Sequence, residues 1–176
     1  MSVPLTEEQL KPLLNENLSL AIINHPTCIV AGPVGAIHRF EKELKEKRLL
    51  PIRINAFHAA HSLLMDSVIA EFLEKVSTVK LNKPAIPYIS NLTGSWITAE
   101  EAVDPRYWAK QLRGTVRFSD GLAELLKEEN AVLAEIGPGR VLGTFVRQHP
   151  AKKSGHKIVN LVRHPRENVP DDYLLI

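Results

Sequence analysis

The chain has 176 residues, 44% of them hydrophobic, and its 22 basic and 20 acidic side chains leave a net charge of +2. That supplies core for one domain or two small ones, and no field strong enough to draw the chain to nucleic acid. The single cysteine, Cys28, excludes an internal disulfide and a cysteine-rich metal site.

No apolar run approaches the roughly 20 residues that a membrane span requires, and the acidic start TEEQLKPLLNEN lacks the form of a signal peptide. A cytoplasmic protein is expected. Residues 5–14 read as a short helix, and 18–25 as a strand ended by Pro26. A second strand, 27–31, closes at Gly32-Pro33. Over 34–47 the apolar residues Val34, Ile37, Phe40 and Leu44 recur at helical spacing, with Glu41 and Lys45 as an exposed pair four apart. Residues 50–55 return as a strand. Strand, strand, helix, strand within residues 1–57 predict a small α+β sandwich of the ferredoxin-like kind.

A helix is expected over 62–80, carrying Met65, Val68, Ile69, Phe72, Val76 and Val79 on one face and stopped by Asn82-Lys83-Pro84. Residues 86–90 read as an edge strand, because Pro87 has no N–H for a ladder, and 91–95 as a turn. Asp104-Pro105 starts a helix that runs to about Leu112. Then follow a helix over 119–129, a strand over 132–136, the sharp turn Gly137-Pro138-Gly139 and a last helix over 140–148. Beyond Pro150 the composition turns polar and basic, and 151–176 read as a linker that includes the strand-like IVNLV.

Two histidines, His58 and His61, stand where the strand over 50–55 hands over to the next helix. Histidine is the side chain best suited to move a proton near neutral pH, and such a junction projects side chains into clefts. A surface loop that happens to hold two histidines fits the same residues. A catalytic metal asks for three protein ligands, and the remaining histidines are scattered, so no metal site is expected. Gly137 to Arg140 could offer helix N-terminal amides to a phosphate or make a tight strand-to-helix turn. It lacks the further glycines and the lysine of a phosphate loop, which favours the turn. No Gly-x-Ser-x-Gly elbow occurs, so a histidine base has no serine beside it to activate.

Five blocks in order, LSLAIINHPTCIVAGP, NAFHAAHSLLMD, IPYISNLTGSWIT, DPRYWAKQLRGTVRFSDGLAELL and LAEIGPGRVLGTFVRQHP, resemble the C-terminal half of the acyltransferase domain of modular type I polyketide synthases. These domains are related to malonyl-CoA:acyl-carrier-protein transacylase. The resemblance implies an α/β chain in three parts: a ferredoxin-like small subdomain over 1–57, the C-terminal part of an α/β-hydrolase-like large subdomain over 58–150, and a post-acyltransferase linker over 151–176. It also implies ping-pong transfer of a malonyl-type group from a coenzyme A thioester, through a serine, to the phosphopantetheine thiol of an acyl carrier protein. No permanent cofactor is implied. The expected partners are malonyl-CoA or a related acyl-CoA, the carrier protein, the N-terminal half of the acyltransferase and the other synthase domains.

Residue by residue, the family's His-Ala-Phe-His or Tyr-Ala-Ser-His motif falls on His58-Ala59-Ala60-His61, so His61 is the expected base. The backbone carbonyl that orients it falls on Gln111. His58 and Ala60 are expected at the substrate, and Asn91 either near it or in a purely structural turn. Ala60 departs from malonyl-selective members, which carry phenylalanine there. The family's serine, its oxyanion-hole glutamine and its carboxylate-binding arginine fall upstream of residue 1, so the chain is expected to be a fragment without its nucleophile. Two alternatives stay open, an inactive ferredoxin-like interaction module and a half-enzyme that complements a separate N-terminal fragment.

Overall fold

Two short apolar runs pair as antiparallel strands in the computed structural model of the chain, which describes residues 1–56 and 58–162. They are β2 (Ser19–Ile23) and β3 (Cys28–Ala31), and β1 (Ser2–Val3) pairs antiparallel with the other side of β3, giving the order β1-β3-β2. Helix α2 (Val34–Glu46) places Ala36, Phe40 and Leu44, spaced four apart, in one buried cluster with Val3, Leu10, Ile23, Cys28 and Val30. Leu44 is fully buried, and a side chain of that size contributes about 1.5–3 kcal/mol on leaving water. The expected stripe included Val34, but this residue opens the helix and stays 74% exposed.

The strand expected over 50–55 reduces to one bridge, with Ser2 N–H donating to Ile52 O at 2.7 Å and Ile52 N–H to Ser2 O at 2.9 Å. Its partner β1 is two residues long, and Pro51 has no N–H to extend the ladder. On the opposite edge, β2 carries a β-bulge at Ala21, the residue passed over between the pairs Leu20↔Val30 and Ile22↔Ile29. The bulge turns backbone groups outward, and that edge receives a later part of the chain. Val116 N–H donates to Ala21 O at 2.8 Å, Ile23 N–H to Val116 O at 2.9 Å, and the Thr115 hydroxyl to Leu20 O at 2.7 Å.

The helix expected over 62–80 is a 3-10 turn, Leu63–Val68, followed by α3 (Ile69–Ser77). Ser62 caps this start, and Met65 N–H reaches back only three residues, to Ser62 O at 3.0 Å. The edge strand at 86–90 shrinks to an Ile89–Trp96 bridge around a turn in which Gly94 takes φ +71°. Helix α4 (Ala99–Val103) was not expected, although Thr98 and Glu101 spell a capping box that closes here in both directions, at 3.1 and 2.9 Å. Helix α5 (Pro105–Arg113) begins as its sequence directs, with Asp104 accepting Arg106 N–H at 2.9 Å. Its neighbours include α3 and α4.

Residues Met1–Gly121 make one compact unit and a second begins at Leu122, the boundary falling within α6 (Phe118–Leu125). In the second unit β4 (Val132–Glu135), α7 (Val141–Gln148) and β5 (Lys157–Asn160) form a parallel βαβ arrangement, with Val132 opposite Lys157 and Glu135 opposite Asn160. Within the stretch expected as a linker, β5 is therefore a paired strand, while residues 163–176 lie outside the described residues. The Glu135 carboxylate accepts Leu142 N–H at 3.1 Å and Gly143 N–H at 2.9 Å. Those amides of the α7 N-terminus are thus taken by a carboxylate, and GPGR acts as a turn, with Gly139 at φ +119°. Among the described residues no helix is long and apolar enough to cross a membrane.

Glu7 of α1 (Glu7–Leu10) binds Lys11 at 2.8 Å and Arg117 at 3.3 Å, tying the first helix to the segment docked on β2. Partial burial alone would raise the Glu7 carboxyl, but the hydrogen bonds and charges of Lys11 and Arg117 outweigh it and hold the group below its ordinary value. A carboxyl lowered on folding stabilises above the unfolded value and loses that contribution as pH falls through the folded value. Glu7→Gln is therefore expected to destabilise the chain at pH 7 and to leave a smaller difference at pH 3, measured by urea unfolding at both. An equal deficit at the two pH values would contradict this.

Candidate active site

The loop from Ala59 to Leu64 is short, polar at Ser62 and closed on itself. The Ser62 hydroxyl, fully buried, donates to Ala59 O at 2.6 Å and accepts Leu64 N–H at 3.2 Å. Leu63 N–H donates to the Ser19 hydroxyl of β2 at 3.0 Å. Within this turn His61 takes φ +60°, a left-handed conformation that costs an L-residue roughly 1–2 kcal/mol. His61 N–H recovers part of that by donating to Leu112 O at 3.0 Å.

The imidazole is docked on the end of α5. His61 Nδ1 lies 3.0 Å from Gln111 O and 3.1 Å from Gly114 O, two carbonyls that can only accept a hydrogen bond from a ring nitrogen. Nδ1 therefore carries the hydrogen in the neutral ring, and Nε2 carries the lone pair. The last carbonyls of a helix are unsatisfied within it and carry the negative end of its dipole. Here three carbonyls, those of Gln111, Leu112 and Gly114, serve one residue. A ring held in this way keeps Nε2 free to accept a proton, which is what a general base requires. Asp66 pairs with Arg113 and adds a surface tie between α5 and the 3-10 turn that follows the loop.

His58 and Ala59 line a cleft of about 240 Å³ that also borders Gly32, Val34, His38 and Arg53. Arg53 donates to His38 Nε2 at 2.7 Å and, through Nε, to Glu41 at 2.6 Å. Ala60 is half-buried. Asn91 is exposed, and its carbonyl accepts Arg117 N–H at 2.8 Å, which joins its backbone to the segment that follows α5. The structure thus brings His61 and Gln111 into direct contact, while His58 faces a neighbouring cleft and Asn91 meets the same segment through its main chain. Cys28 offers no thiolate, because burial, with a smaller effect from Glu7 and Glu8, pushes its thiol up to about 11. Among the described residues no group of three or more histidine, cysteine or carboxylate side chains is placed to hold a metal.

Sequence reasoning missed Leu112 and Gly114, which act through main-chain carbonyls, and the two serines that fix the loop. Only Ser62, directly after the histidine and ahead of a helix start, left a trace in the sequence.

A family model described as the acyl transferase domain matches residues 1–174. The chain belongs to the acyl transferase domain family. Among curated relatives, a component of the phenolphthiocerol/phthiocerol polyketide synthase of Mycobacterium tuberculosis is 35% identical over 172 residues, covering 97% of this chain and 12% of that protein. NorB, of the spectinabilin polyketide synthase system of Streptomyces orinoci, is 32% identical over 173 residues, 94% of this chain and 8% of that one. Among solved structures, the acyl transferase domain of ZmaA is 45% identical with a TM-score of 0.88, over 99% of this chain and 41% of that domain. That of SpnD, in complex with 2-(pent-4-yn-1-yl)malonyl, is 38% identical with a TM-score of 0.93, over 99% and 43%. The chain therefore has the mixed α/β fold of this family and spans less than half of the solved acyltransferase domains named above.

Because Ser62 is fully buried and both its bonds lie inside the loop, Ser62→Ala leaves the Ala59 carbonyl without its donor. The expected cost is about 1–3 kcal/mol in urea unfolding of the chain. A cost below about 0.5 kcal/mol, the level of an ordinary surface change, would show that the loop does not depend on it.

Proposed function

We propose that this chain is the C-terminal part of an acyltransferase of polyketide synthesis. It moves a malonyl-type extender unit from coenzyme A to an acyl carrier protein, through a serine carried by a segment outside these 176 residues. The observation that carries the reading is the approach of His61 Nδ1 to the Gln111 and Gly114 carbonyls at 3.0 and 3.1 Å, which leaves Nε2 as the acceptor. In this reading residues 1–57 are the small subdomain, 58–150 belong to the large subdomain and 151–176 form the linker that follows.

His61 acts twice. As the serine oxygen attacks the thioester carbonyl, its proton passes to Nε2, and collapse of the tetrahedral intermediate expels coenzyme A, which takes that proton and leaves as the thiol. The phosphopantetheine thiol of the carrier protein then gives its proton to Nε2, attacks the acyl-serine ester and releases the serine hydroxyl with the proton returned. No permanent cofactor takes part. His58 and Ala60 border the acyl group, and Asn91 lies beside the site.

Joining the chain to the N-terminal part of the ZmaA acyl transferase domain provides the test, with intact-mass detection of malonyl transfer to the serine and on to a carrier protein. The chain alone is expected to take up no acyl group, and a stable adduct on any of its own serines would overturn the reading. In the joined domain His61→Ala is expected to lower transfer by about 10²–10⁴-fold, the range for a positioned general base, and His58→Ala far less. Equal losses would refute the division of roles.

Ala60 sets the selectivity. A small side chain stands where malonyl-selective members carry a phenylalanine ring, and the SpnD domain, 38% identical, was solved with a malonyl group substituted at its central carbon. Malonyl-CoA is the default substrate, with methylmalonyl-CoA accepted better than by an enzyme carrying the ring. One methyl in an apolar pocket is worth about 1–3 kcal/mol, so Ala60→Phe is expected to shift a competition between the two thioesters toward malonyl by about tenfold or more. An unchanged product ratio would show that Ala60 does not gate the branch.

A further inference from the structure

We propose that Ser19, on β2, is a positioning residue for His61, an inference that rests on the acyl-transfer reading given above. The contact between the imidazole and its acceptors joins two separate segments, the loop from Ala59 to Leu64 and the stretch from Gln111 to Val116. Both segments are referenced to the same five-residue strand. Thr115 and Val116 hold the acceptor stretch to Leu20, Ala21 and Ile23 through three hydrogen bonds of 2.7–2.9 Å. On the loop side, the bond to β2 is made by the Ser19 hydroxyl, which accepts Leu63 N–H at 3.0 Å. Leu63 opens the 3-10 turn, so its N–H has no acceptor inside that turn, and Ser19 satisfies it.

The strand therefore works as a shared rail. The bulge at Ala21 aims its outer edge at the acceptor stretch, and Ser19, two residues earlier, holds the loop that carries the base. Removing the Ser19 hydroxyl takes away the loop's hydrogen bond to β2 and leaves His61 N–H on Leu112 O and the Asp66–Arg113 pair to hold it, so the separation of His61 Nδ1 from the two carbonyls is set less tightly. The sheet itself is little affected, because the pairing of Ser19 with Ala31 is made by the main chain. Threonine keeps the hydroxyl and favours an extended backbone, so Ser19→Thr is the conservative control.

Two measurements test this. In the domain joined to the ZmaA N-terminal part, Ser19→Ala is expected to lower kcat for acyl transfer about 3- to 10-fold, the effect of one hydrogen bond, with KM changed less than about twofold. Ser19→Thr is expected to restore kcat. A kcat unchanged in Ser19→Ala, a loss carried by KM, or no rescue by threonine would overturn the proposal. In the 176-residue chain itself, amide hydrogen exchange at Leu63 and His61 is expected to quicken in Ser19→Ala and to return in Ser19→Thr, and unchanged exchange at His61 would equally overturn it. If the joined domain transfers no acyl group before any substitution, the acyl-transfer reading fails, and the exchange experiment alone decides whether Ser19 anchors the loop.

Discussion

The docking of one imidazole on the C-terminal end of α5 is the contact around which the first unit is arranged. A helix end presents carbonyls that the helix cannot satisfy, and it presents them with partial negative charge. His61 uses two of them, Leu112 O for its backbone N–H and Gln111 O for its ring, and the ring also reaches the carbonyl of Gly114, the residue just past the helix. A buried carboxylate in that place would have to be desolvated and kept ionised, whereas main-chain carbonyls orient the ring without either cost.

The contact is expensive in backbone terms, and its surroundings show how that is met. His61 sits in the left-handed region, at a cost of roughly 1–2 kcal/mol, and each neutral hydrogen bond around it returns about 0.5–1.5 kcal/mol net. The bonds of Ser62, Leu63 and His61 together are of the size needed to offset the strain, and they form only while Ala59–Leu64 keeps its tight path. The other partner is held from below by the outer edge of β2 and from the side by Arg117, which binds both Glu7 and Asp120. A three-stranded sheet with a bulged edge, a capped nine-residue helix and a short closed loop thereby fix one side chain.

Much of this was legible in the residues. The spacing of Phe40 and Leu44 announced α2, and Asp104-Pro105 announced α5, because both signals are local and chemical. The resemblance paired positions 61 and 111, and the His61 ring stands 3.0 Å from the Gln111 carbonyl. What stayed hidden was carried by the main chain or by distant partners. The two-residue β1 has no periodicity to detect, and the strand over 50–55 dwindled to a bridge because that partner is so short. Leu112 and Gly114 contribute carbonyls that any residue would have, so no side-chain pattern marks them. Ser19 contacts a residue 44 positions away, a pairing that no window along the chain contains.

The end of α5 fixes which ring nitrogen of His61 holds the hydrogen. Long-range nitrogen–proton correlation spectra of the ¹⁵N-labelled chain, recorded at a pH where the ring is neutral and assigned by the loss of signals in His61→Ala, report this directly. The hydrogen is expected on Nδ1, with Nε2 showing the shift of an unprotonated nitrogen. A ring found mainly with its hydrogen on Nε2, or divided evenly between the two forms, would contradict it.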